Sequence, residues 1–74
     1  MFHLSMKTRT AIISVKDLNE EAIPVLKQAF NAVAGVQSID FSLERSVAVI
    51  EFDGNHSKID DLLRAVLKAG YQVQ

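Results

Sequence analysis

The 74 residues carry 8 Lys and Arg against 9 Asp and Glu, a formal net charge of -1, and 49% are hydrophobic. That length holds one small domain, the apolar fraction is too high for a disordered segment, and the charge lacks the basic excess of a nucleic-acid binder. Cysteine is absent, which removes disulfides, zinc knuckles, iron–sulfur clusters and thiol catalysis together.

Residues 1–7 alternate Phe2, Leu4 and Met6 with His3, Ser5 and Lys7, so they read as an N-terminal tail or an extension of the first strand. Residues 8–16 are short and rich in β-branched side chains, the pattern of a half-buried strand. Asp17, Asn19, Glu20 and Glu21 then signal a helix start, with oxygen acceptors and negative charge at the positive end of the helix dipole. Ile23, Leu26, Ala29, Phe30 and Val33 recur at helical spacing. Pro24 is compatible with the first turn alone, so the helix begins near Glu21 or Ala22. Gly35 is the expected helix stop.

Ile39, Phe41 and Leu43 alternate with Ser38, Asp40 and Ser42, a strand with one wet face. After the polar break Glu44-Arg45-Ser46, residues 47–52 form a nearly continuous apolar run suited to a central strand. Asp53-Gly54-Asn55 is a turn. Ser57 and Asp60 form a capping pair ahead of a second stripe, Ile59, Leu62, Leu63 and Val66. Gly70 ends that helix, and residues 71–74 make a short last strand. The order βαββαβ, with Ala34-Gly35-Val36-Gln37 echoed by Ala69-Gly70-Tyr71-Gln72, predicts an α+β, ferredoxin-like sandwich. Its four-stranded antiparallel sheet would run in the order 4-1-3-2, with both helices on one face. Residues 8–74 form the domain.

The details carry more than the topology. Val15-Lys16-Asp17-Leu18, then Ala29-Phe30-Asn31-Ala32-Val33-Ala34-Gly35-Val36, resemble the heavy-metal-associated domain family. So do Ser38-Ile39-Asp40-Phe41 with Val47-Ala48-Val49, and Leu62-Leu63 with Ala69-Gly70-Tyr71-Gln72-Val73. The family comprises copper chaperones, mercury-binding proteins and N-terminal domains of metal-transporting P-type ATPases. Its members hold a soft ion between two thiolates of an M-x-C-x-x-C loop at the start of the first helix. Counting back from Gly35 puts those positions at Asn19 and Ala22; counting forward from the first strand puts them at Glu20 and Ile23. Neither register supplies a thiolate, so family-type binding of copper(I) or mercury(II) is not expected.

Other candidates are weighed from the residues. Met1, His3 and Met6 could form an atypical site, since thioether and imidazole suit transition metals; an incidental tail, with Met6 an apolar residue of an extended first strand, is the favoured reading. Asp17, Glu20 and Glu21, with Tyr71 at the family position beside the loop, form a candidate interaction patch. Capping and dipole compensation account for the carboxylates without it. His56, near Asp53, Asp60 and Asp61, fits a loop and cap, and sits at the opposite end of the sheet from that patch.

Catalysis is not expected, since no nucleophile–base set or glycine-rich phosphate loop is present. RNA recognition lacks aromatics on the two central strands. The expected function is a non-catalytic interaction or regulatory module of a heavy-metal transport or resistance system. Its partner would be another protein or domain, such as a metal-transporting ATPase. No nucleic acid, membrane insertion or cofactor is expected, a heavy-metal ion being the one candidate ligand. The alternatives are an atypical metal site built from Met, His and carboxylates, and a small-ligand regulatory domain of the ACT type. No apolar run nears the ~18 residues of a membrane span, and Ala11-Ile12-Ile13 is too short for a signal-peptide core. The expected compartment is therefore the cytoplasm.

Overall fold

Strand and helix formation follow the apolar pattern closely in a computed structural model that describes residues 7–74. The elements are β1 (Thr8–Ser14), α1 (Ala22–Asn31), β2 (Val36–Ser42), β3 (Val47–Asp53) and α2 (Ile59–Lys68). The three strands form an antiparallel sheet in the order β1-β3-β2. Among the described residues, no helix is long and apolar enough to cross a membrane.

Alternation puts Ala11 and Ile13 of β1, and Ala48, Ile50 and Phe52 of β3, on one face of the sheet. There they form a single buried cluster with Leu26 and Phe30 of α1 and Leu62 and Val66 of α2. Both helices therefore cover the same face. Phe41 of β2 joins from the edge, its ring centroid 6.5 Å from that of Phe30. The opposite face is open to water, as an antiparallel sheet allows: Ile12 is 69% exposed, and Ser38 donates to the Glu51 carboxylate at 2.8 Å.

Helix α1 begins at Ala22, with Pro24 in its first turn where no intrahelical acceptor is lost. Helix α2 ends in a full Schellman motif: Gly70 N–H donates to Leu67 O and Tyr71 N–H to Val66 O, with Gly70 at φ 92°.

Four expectations are corrected. The fourth strand is not formed: residues 71–74 contribute one antiparallel bridge, Val15 to Val73, flanked by Lys16 N–H to Gln72 O and Gln74 N–H to Ser14 O. The helix cap claims the Tyr71 amide, which leaves too short a run for a ladder. Gly35 is not the residue that caps α1. The helix stops at Asn31, and Gly35, at φ 84°, turns the chain three residues beyond the C-cap Ala32. The α2 cap falls one residue later than expected: Asp61 accepts from Lys58 N–H at 2.8 Å. Ser57 is buried and spends its hydroxyl on the Ala34 carbonyl instead. Finally, Ile59 lies on the exposed side of the α2 stripe rather than in the core. The reading of residues 1–7 lies outside the described residues, apart from Lys7, whose carbonyl accepts from Gly54 N–H at 2.7 Å.

The two turn glycines separate backbone strain from crowding. A Cβ at Gly70 would meet nothing within 4 Å, whereas at Gly35 it would lie 2.9 Å from the His56 Cβ. Gly70→Ala should cost about 1–2 kcal/mol for positive φ alone, and Gly35→Ala distinctly more. Urea denaturation of the two variants checks the order, and equal costs would contradict it.

Candidate functional site

The loop that joins β1 to α1 is fixed from both sides. Val15, the residue after β1, is buried in the core and donates its N–H to Ser46 O at 2.9 Å, while the Ser46 hydroxyl returns a bond to Val15 O at 2.7 Å. Ser46 holds φ at 59° to do so. On the other side, the bond from Lys16 to Gln72 ties down the C-terminal segment. Asp17 then turns the chain at φ 59°, a conformation Asp tolerates better than most residues. Sequence reasoning missed Ser46 because nothing in Glu44-Arg45-Ser46 marks it as more than a polar break.

Asn19 carries out the capping that the oxygen-rich stretch suggested. Its side-chain oxygen accepts from Ala22 N–H at 2.9 Å, which satisfies one of the orphan amides of the first turn. Glu21, at the N-cap position, makes no such bond. The two registers for the family loop positions differ in exposure. Ala22 is wholly buried and Ile23 half-buried, whereas Asn19 and Glu20 are exposed.

Asp17, Glu20 and Glu21 all face solvent. Tyr71 reaches the same end through the bond from Lys16 to Gln72, but it is half-buried and packs against the core. Among the described residues, no three His, Asp or Glu side chains converge as a metal site. The tail candidates Met1, His3 and Met6 lie outside the described residues. At this loop the donors are one amide oxygen and exposed carboxylates, which suit hard ions and not copper(I) or mercury(II).

His56 lies at the far end, since Thr8 pairs with Asp53 while Ser14 pairs with Val47. There a carboxylate that looked like turn punctuation is buried. Asp53, 7% exposed, accepts from Asn55 N–H at 2.9 Å and pairs with His56 Nδ1 at 2.8 Å. Its backbone N–H donates to Gly35 O at 2.8 Å, and its carbonyl accepts from His56 and Ser57. This set binds the turn before β2 to the turn before α2. Asp60 and Asp61 do not join it: Asp61 pairs with Arg64 at 3.4 Å.

Residues 25–72 match the model of the heavy-metal-associated domain. The chain belongs to that family. The mercuric transport protein periplasmic component of Shigella flexneri is 32% identical over 65 residues, covering 86% of this chain and 71% of the relative. The crystal structure of oxidized MerP from Ralstonia metallidurans CH34 superposes with a TM-score of 0.80 at 32% identity, over 92% of this chain and 96% of that one. The CopZ metallochaperone reaches a TM-score of 0.83 at 22% identity, over 89% and 100% of the two chains, which supports the fold. The heavy-metal-associated relationship expected from the residues is thus established, and the ferredoxin-like relatives support the two-layer architecture.

The expectation of a cytoplasmic compartment is corrected by the same comparison, because these curated relatives are periplasmic components. Composition and charge do not distinguish one aqueous compartment from another.

The buried Asp53 makes a pH prediction. The Asn55 amide, helped by the hydrogen bond and charge of His56, lowers its pKa from 3.8, against the opposing effect of burial. A carboxyl with a depressed folded-state pKa stabilises fully above its unfolded value and loses that contribution as pH falls through the folded one. Asp53→Asn should therefore be less stable than the parent at neutral pH. The gap should close below about pH 4. Denaturant titrations from pH 7 to pH 2 check this, and a gap independent of pH would contradict it.

Proposed function

We propose that this heavy-metal-associated domain is a non-catalytic interaction or regulatory module of a heavy-metal transport or resistance system. In this reading the family loop has lost its thiolate pair and keeps its shape. The observation that carries the reading is a family fold in a chain with no cysteine. The family match itself starts at residue 25, just beyond the loop positions. The mercuric transport relatives favour metal handling over the small-ligand alternative, which no comparison supports. They also favour a periplasmic setting.

Of the two registers, we assign the family loop positions to Glu20 and Ile23. A ligand must reach solvent and its ion, and Ala22 is wholly buried under the helix. Glu20 is exposed in the loop and Ile23 half-buried in the first turn of α1, where one carboxylate and one alkyl group offer a soft ion no bond of useful strength. What remains there is an acidic face, Asp17, Glu20 and Glu21, with Tyr71 alongside. It would act as a contact surface for another protein or domain, such as a transporter. Residues 8–74 would form a single domain.

Amide NMR during anaerobic titration with copper(I), and separately with zinc(II), tests this reading. The expected result is no shift in residues 15–23 or 71–73 at one equivalent of copper(I). Saturable shifts there would overturn the loss of loop binding. Shifts confined to the first six residues would replace the reading with the atypical tail site.

A further inference from the structure

Helices α1 and α2 leave a groove of about 710 Å³ on the side away from the sheet. Its lining runs from Val25 to Ala32 on one side and from Asp61 to Lys68 on the other, a length of roughly 10 Å at 1.5 Å per residue. Val25 and Ala29 of α1, its C-cap Ala32 and Ala65 of α2 give it an apolar floor, with Val25 44% exposed.

Charge is confined to one rim. Arg64 and Lys68 stand on the α2 side with His56 at the end, and the α1 side offers the neutral Gln28. The rim's one carboxylate, Asp61, is already engaged by Lys58 N–H at 2.8 Å and by Arg64 at 3.4 Å. Arg64 is shared with Asp61 in that pair, so the rim holds two cations, Arg64 and Lys68, against one carboxylate, an excess of a single positive charge.

We propose that this groove receives an acidic amphipathic helix of a partner protein, its apolar face on the floor and its carboxylates along the Arg64–Lys68 rim. A helix fits the groove because the apolar floor matches one helical stripe over about two turns, as in other helix-in-groove recognition. The one-sided cationic rim selects acidic flanks and fixes orientation, since charge complementarity acts mainly on specificity and encounter rate. The inference rests on the reading of the domain as an interaction module (the docking-module reading) and adds a second contact surface, on the helical layer, to the acidic loop face.

The probe is a synthetic helical peptide with a Leu and Ala face flanked by Glu, titrated into the labelled 74-residue chain. A control peptide carries Lys for each Glu. Binding of the Glu peptide should shift the amides of Gln28, Ala29, Ala32, Ala65 and Lys68. The double variant Arg64→Glu, Lys68→Glu, confirmed as folded by circular dichroism, should weaken that binding by about tenfold or more. Equal binding of the Lys peptide would overturn the proposal, as would the absence of any shift. Shifts confined to residues 16–23 would overturn the groove while leaving the docking-module reading intact. Self-association that shifts the same groove amides without peptide would assign the groove to a second copy, and would also overturn it.

Discussion

Among the described residues, β3 alone pairs along both edges, with β1 on one side and β2 on the other. Its inner residues Ala48, Ile50 and Phe52 are wholly buried beneath both helices. Register on this strand decides everything above it, because a slip of one residue would exchange Ile50 and Phe52 for Val49 and Glu51. Burial of side chains of this size is worth about 1.5–3 kcal/mol each, against a total stability of about 5–15 kcal/mol for a domain. One central strand therefore sets where both helices lie, and with them both ends of the molecule.

The loop at the head of α1 inherits its shape from that frame. Val15 is anchored in the core, Ser46 just before β3 is hydrogen bonded to it in both directions, and Asn19 caps the helix. None of these contacts involves a metal or a thiolate. On the proposed reading the loop is kept without the ligand pair, because the residues that support the loop are not those at the family's ligand positions. At the other end, hydrogen bonds among Asp53, Gly35 and His56 bind two turns together.

Much of this was legible in the sequence, and the reasons for the rest are physical. Leu26 and Phe30, or Leu62 and Val66, announce buried stripes because helical spacing repeats over several turns and propensity is reinforced by burial. Asn19 was readable because a side-chain oxygen just ahead of an apolar stripe has few other roles. Gly35 misled, because positive φ is required equally by a helix cap and by a later turn, and sequence does not tell the two apart. Ser57 misled because its hydroxyl serves a carbonyl of distant sequence, Ala34, visible only once the turns meet. Asp53 looked like a surface turn residue, but its partners lie in two separate turns. The last strand reduced to a bridge because one amide cannot serve both the α2 cap and a ladder. The compartment was not legible at all, since the composition of a small mixed domain suits either side of a membrane.

The central claim is that fold and loop remain while the soft donors have been lost. Grafting the thiolates back tests it most directly: Glu20→Cys with Ile23→Cys, compared with the parent for mercury(II) retention against a competing thiol buffer. The account predicts that the double variant keeps one equivalent of mercury(II) where the parent keeps none. Retention by the parent, or a folded double variant that still fails to hold the ion, would contradict it.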